Sequence, residues 1–80
     1  MYHYVYILQS IHFPENHYVR FTTDIKKRLA KHNEGGSIHT SKYKPWKIKL
    51  AIAFEDKQKA IVFEKYLKSH SGRAFTKRHF

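Results

Sequence analysis

Two tyrosines, an arginine, a histidine and one carboxylate (Tyr6, Tyr18, Arg28, His32 and Glu64) could between them cleave a phosphodiester. A phenol can activate water if its surroundings favour loss of its proton. A guanidinium neutralises charge developing on a phosphate, and its planar fork matches two phosphate oxygens. One carboxylate can hold a Mg²⁺ that keeps most of its waters and stabilises the leaving oxygen. Residues of these types occur in most basic domains. The set gains meaning only if the chain brings its members together.

The elements that must do so can be read from periodicity. Residues 2–9 are β-branched and aromatic and read as a strand. Residues 11–16, with Pro14, Glu15 and Asn16, form a loop that closes a hairpin onto a second strand, His17 to Thr22. Alternation sends Tyr4, Tyr6 and Leu8 to one face and Val5 and Ile7 to the other. It likewise separates Tyr18, Arg20 and Thr22 from Val19 and Phe21. With the aliphatic sets facing a core, Tyr6 and Tyr18 should meet on the opposite face.

Thr22 or Thr23 is the expected N-cap of a first helix, with Asp24 favourable in its first turn. Ile25, Leu29 and His32 follow at i, i+4 and i+7, and Gly35-Gly36 should end the helix. Arg28 and His32 lie four apart, on one face beside the Ile25/Leu29 stripe. Gly35 to Pro45 reads as a polar loop, and Trp46 to Glu55 as a third strand. Asp56 can cap a second helix reaching about Ser69, with Ala60, Phe63, Tyr66 and Leu67 as its apolar stripe. Glu64 falls between Ala60 and Leu67, where a carboxylate borders the buried stripe and needs a partner. Ser71-Gly72 should break this helix, leaving room for a short basic helix from Arg73 to Phe80.

Charge narrows the partner. Sixteen Lys and Arg against six Asp and Glu give +10, with a pI near 10.0. Such an excess favours a polyanion, nucleic acid first and an anionic membrane surface second. There is no Cys, which removes disulfides and thiolate zinc sites and fits a reducing compartment. The seven His include no HExxH, so no zinc site is expected. No apolar run approaches the roughly 18 residues of a membrane span, and Met1-Tyr2-His3-Tyr4 lacks signal-peptide character. The expectation is a soluble, cytoplasmic protein with residues 1–80 as one domain.

The run Tyr4-Val5-Tyr6, then Tyr18-Val19-Arg20-Phe21-Thr22-Thr23-Asp24-Ile25-Lys26-Lys27-Arg28-Leu29-Ala30-Lys31-His32-Asn33, closely resembles the GIY-YIG endonuclease family. Lys44-Pro45-Trp46, Ala60 through Lys68 around Glu64, and Ser71-Gly72-Arg73 extend the match over nearly the whole chain. The short stand-alone branch, similar to the N-terminal nuclease domain of the UvrC repair protein, fits best. The resemblance implies a small α/β (α+β) fold of order β-β-α-β-α, with a three-stranded antiparallel sheet flanked by helices. It also implies a DNA endonuclease, structure-selective in repair or processing, that uses a single Mg²⁺ or Mn²⁺. Tyr6 matches the general base and Tyr18 the tyrosine that positions water or phosphate. Arg28 matches the catalytic arginine, and His32 the residue assisting at the phosphate or nucleophile. Glu64 matches the sole protein ligand of the metal. Arg20, Lys27, Lys31, Lys42, Lys44 and Arg73 are the expected contacts to DNA, or to RNA, with a protein partner as a further means of targeting.

Without the resemblance, Tyr6 and Tyr18 would read as core aromatics and Arg28 and His32 as a solvated helix edge. Glu64 would read as paired with Lys65, Lys68 or a nearby Arg. One departure from the family bears on function. Arg20 stands where the second motif has glycine, and by alternation it shares the Tyr18 face; Tyr4 replaces the first motif's glycine. Two readings of Arg20 stay open. It adds a phosphate contact or lowers a tyrosine pKa, or it pairs with Glu64 in the metal or phosphate position and disarms the site. The alternatives to an enzyme are a non-catalytic nucleic-acid-binding module, with bases stacked on exposed aromatics, and a basic adaptor for an acidic protein.

Overall fold

The computed structural model describes residues 1–35 and 41–80. Its elements are β1 (His3–Ser10), β2 (His17–Thr22), α1 (Ile25–Asn33), β3 (Trp46–Phe54), α2 (Lys57–Lys68) and α3 (His70–His79). The strands form one antiparallel sheet in the order β2-β1-β3. Helices cover parts of both faces, giving the expected α+β class with a third helix at the end.

The central strand organises the core. Val5, Tyr6, Ile7 and Leu8 are all buried, so β1 sends side chains into two separate apolar clusters. Val5 and Ile7 pack with Ala60 and Leu67 of α2, joined by Val19, Phe21, Leu50, Phe54, Phe63 and Phe75. Tyr6 and Leu8 pack with Trp46 on the other face, joined by Tyr18, Leu29, Tyr43 and Ile48. The alternation read from the sequence therefore holds, and Tyr6 and Tyr18 share the face that α1 covers.

Local chemistry sets the helix ends. Asp24, not Thr22 or Thr23, is the N-cap of α1; its carboxylate accepts from the Lys27 N–H at 3.1 Å. Thr22 instead steadies the cap, its hydroxyl oxygen accepting from the Asp24 N–H at 3.1 Å. An aspartate accepts this bond as well as a threonine and adds a negative charge at the positive helix end. Helix α1 stops at Asn33, and Gly35 has φ +80°, the left-handed turn a glycine adopts without strain. Gly36 and the centre of the expected polar loop, residues 36–40, lie outside the described residues. Asp56 caps α2 as expected, accepting from Gln58 and Lys59.

The expected break at Ser71-Gly72 lies earlier. Ser69 both ends α2 and caps α3, its hydroxyl oxygen accepting from the Gly72 N–H at 3.1 Å. Gly72 is inside α3 and buried, and a Cβ added there would lie 1.8 Å from the Tyr66 carbonyl oxygen. The glycine is needed for the close approach of α3 to the last turn of α2, not for a chain break.

Backbone atoms cannot retreat from a new methyl as a flexible side chain can. Gly72→Ala is therefore expected to destabilise the fold by about 3 kcal/mol, the upper part of the usual overpacking cost. Urea unfolding checks this; an unchanged midpoint would show that α3 does not approach α2 so closely.

Candidate active site

Tyr6 lies directly across from Arg20 on β2 and from Ala51 on β3. Cross-strand partners present their side chains on the same face. Leu29 of α1 packs onto the Tyr6 cluster, so one turn of α1 lies against this part of the sheet. The next turn supplies His32, buried, with Nε2 3.3 Å from the Tyr6 hydroxyl. Arg28 stands one turn earlier and donates a hydrogen bond to the same phenol. The phenol is thus held from two sides by residues four apart on one helix.

Burial dominates the electrostatics of the pair. It pushes the Tyr6 phenol above its ordinary pKa of 10.0, against the lowering influence of the Arg28 hydrogen bond and the charges of Arg28 and Arg20. Glu64 adds a weaker upward influence, which places its charge within reach of the phenol. Burial also holds His32 below its ordinary 6.5, helped by the positive charges of Arg28, Arg20 and Lys31. At neutral pH the site therefore contains a neutral imidazole beside a neutral phenol. The geometry allows the phenol oxygen to accept from Arg28 while its hydrogen goes to His32 Nε2.

Arg20 folds over Tyr18. Its guanidinium carbon lies 4.9 Å from the ring centroid, and Nη1 donates to the Val19 carbonyl at 3.0 Å. On its other side Tyr18 meets Trp46 edge-on, with centroids 5.4 Å apart. Glu64 is paired with Lys68 at 3.4 Å, not with Arg20. Arg20, Arg28, His32 and Glu64 therefore each act on Tyr6, and Arg20 lies over the Tyr18 ring. Lys27 and Lys31 are exposed on α1. Lys42 sits 5.5 Å over the Tyr43 ring, and Lys44 is exposed near Gly35. Arg73 is exposed on α3, in the layer beyond the opposite face of the sheet.

Two features of the site escape a search for reactive residue types. Ala51 and Ala53 are paired with Tyr6 and Tyr4, yet both are exposed in the middle of a strand. Small side chains there leave the sheet open beside the phenol, and the large-small alternation from Leu50 to Phe54 was their only signal. Asn33 is the second. Its side chain accepts from the Trp46 N–H at 2.5 Å and donates to the Trp46 carbonyl at 3.1 Å. It thereby ties the end of α1 to the start of β3, in the manner of a neighbouring strand.

Residues 2–78 match the family model of the GIY-YIG catalytic domain, and the chain belongs to that family. It is 36% identical over 67 residues to a UPF0213 protein of Lactococcus lactis, covering 82% of this chain and 66% of that one. It is 34% identical over 65 residues to a structure-specific endonuclease subunit SLX1 homolog of Giardia intestinalis, spanning 76% of this chain but 18% of the relative. The solution NMR structure of a UPF0213 protein from Bacillus halodurans superposes with a TM-score of 0.57 at 33% identity, over 96% of this chain and 81% of the other. Nucleases of this family generally use a divalent metal.

The Arg28 contact can be read in solution. Ultraviolet titration should show a phenol that ionises above the ordinary tyrosine range and is absent in Tyr6→Phe. Arg28→Leu should move it higher still, because a hydrogen bond and a positive charge that both favour the phenolate are removed. A downward shift in Arg28→Leu would contradict the described geometry.

Proposed function

We propose that this protein is a divalent-metal-dependent endonuclease that hydrolyses phosphodiester bonds in DNA. The observation that carries the reading is the Tyr6–His32 contact at 3.3 Å, with the Arg28 hydrogen bond to the same phenol and the charges of Arg20 and Glu64 acting on it. A packing tyrosine needs one partner for its hydroxyl, whereas Tyr6 has both Arg28 and His32 at its hydroxyl in addition to those charges. A structure-selective substrate is favoured by the similarity to a protein named as a structure-specific endonuclease subunit.

Arg28 binds the scissile phosphate, where its fork spans two oxygens. As it turns to the phosphate it frees the Tyr6 oxygen for the attacking water. The water's proton passes to Tyr6 while the Tyr6 hydrogen passes to His32 Nε2. No free phenolate has to form, which matters because burial opposes phenol ionisation. A neutral His32 is the form able to accept that proton. Arg20 and Tyr18 bound the phosphate on the β2 side.

Glu64 suits the metal. Among the described residues no three His, Asp or Glu converge into a metal-binding group, so a single carboxylate is the available ligand. Its side chain is 18% exposed and its ion-pair partner Lys68 is 46% exposed, so the lysine can move aside at little cost. A Mg²⁺ or Mn²⁺ bound there would supply positive charge at the leaving oxygen. The reading of Arg20 as a residue that fills the metal position is not favoured, because Glu64 pairs with Lys68 and Arg20 lies over Tyr18.

A second reading, a binding module that does not cut, rests on Arg20 standing directly across from Tyr6 in place of the family's glycine. Cleavage of labelled single-stranded, duplex and branched DNA under Mg²⁺ and Mn²⁺ titration separates the two. The enzyme reading expects metal-dependent cleavage that disappears in Glu64→Ala. Binding without cleavage, with activity emerging only in Arg20→Gly, would establish the second reading.

The pH profile tests the role of His32. Its folded pKa is lowered, so the neutral form persists at neutral pH and is lost only as pH falls through a value below 6.5. Activity should be level above that value and decline beneath it. His32→Gln should remove the acid limb and lower the rate by about 10²–10⁴-fold, the range for a general acid–base group. An unchanged limb in that variant would exclude His32 as the proton acceptor.

A further inference from the structure

On the sheet face opposite Tyr6, an open cleft of ≈ 910 Å³ lies between α3 and the β2 side of the sheet. Its floor is apolar, from Ile7, Val19 and Leu67, and its walls carry His17, Lys49, Lys68, Arg73 and Lys77. The one carboxylate in the lining is Glu15. Among the described residues no ion pair involves Lys49, Arg73 or Lys77, so their charge is not neutralised within the cleft.

The sequence of β3 would not place Lys49 there by simple alternation. Ile7 pairs with Leu50 while Leu8 pairs with Ile48, so Lys49 is the extra residue of a β-bulge. A bulge turns a side chain out of its regular order. Here it directs Lys49 into the cleft, with Nζ 3.5 Å from His17 Nε2. Burial, followed by the Lys49 charge, holds His17 below its ordinary pKa. Arg73, Thr76 and Lys77 come from one face of α3, three and four residues apart.

The cleft shares lining residues with the surroundings of the site on the other face. Tyr18 and Arg20, which bound the Tyr6 site, also line the cleft, because β2 is the edge strand and both faces are reached around it. Lys68 lines the cleft and pairs with Glu64, whose charge reaches Tyr6. A chain of phosphates leaving the site past Arg20 would meet Lys49, Arg73 and Lys77, none of which is in an ion pair among the described residues.

We propose that this cleft is a second nucleic-acid contact, which takes the sugar-phosphate backbone of a DNA arm extending beyond the scissile phosphate. This rests on the reading of the Tyr6 site as one that engages DNA. The contact is to phosphate and carries no base readout, since the cations are matched to charge and not to base edges. It lets a small domain hold a branched or long substrate at two places.

The test uses the full chain in a Glu64→Gln background, so that bound DNA stays intact. Affinities for a long duplex and for a duplex of about one helical turn (~10 bp) are measured against salt concentration. Arg73→Ala/Lys77→Ala should weaken long-duplex binding at moderate salt. It should lower the slope of log K against log salt by about 1.8, corresponding to two phosphate contacts. The loss should be smaller for the short duplex than for the long one, and Arg73→Lys/Lys77→Arg should keep the parental slope. An unchanged long-duplex slope in the alanine variant would overturn the cleft assignment while leaving the site reading intact. Absence of any DNA binding by the parental protein would overturn both. Loss of poly-glutamate binding without loss of DNA binding would assign the cleft to an acidic protein and overturn the proposal.

Discussion

Four consecutive side chains of β1, Val5 to Leu8, are withdrawn from water, two toward each face of the sheet. That double burial is the constraint on which the rest of the molecule depends. An ordinary antiparallel sheet with one wet face would need only one apolar set. Here the second set includes a phenol, and a phenol cannot be buried without a partner for its hydroxyl. α1 supplies both the apolar cover, through Leu29, and the polar partners, through Arg28 and His32. Packing and polar chemistry are thus met by the same few turns of helix. A substitution there would disturb both.

The basic character of the chain has different consequences on its two sides. Around Tyr6 the positive charges of Arg20 and Arg28 act on buried titratable groups, favouring the phenolate of Tyr6 and the neutral form of His32. Along α3 the positive charges are exposed and act on whatever approaches from solvent, where salt screens them. Net charge by itself does not distinguish these roles. They follow from which cations lie next to buried titratable groups and which do not.

Much of this arrangement was legible in residue order because it depends on short-range periodicity. The pairing of Tyr6 and Tyr18 on one face follows from period-two alternation, and the position of Glu64 from helical spacing between Ala60 and Leu67. The cap of α1 lies one or two residues beyond the threonines, because Thr22, Thr23 and Asp24 can all accept the same backbone hydrogen bond and only tertiary geometry selects among them. Gly72 reads locally as a helix breaker, whereas its role is steric and depends on the Tyr66 carbonyl of the preceding helix. The bulge at Lys49 leaves no mark on composition, since it arises from the register between β1 and β3. Ala51 and Ala53 were silent for another reason: they contribute open space, which no search for reactive groups detects.

The two hydrogen bonds between Asn33 and the Trp46 backbone fasten together positions 13 residues apart. Both ends of the intervening stretch are thereby anchored to the scaffold independently of its length. The entropy of closing a loop grows only logarithmically, by about 0.6 kcal/mol for each doubling. Lengthening the chain ahead of Tyr43, which packs on the Tyr6 cluster, therefore costs little closure entropy and leaves both Asn33 bonds in place.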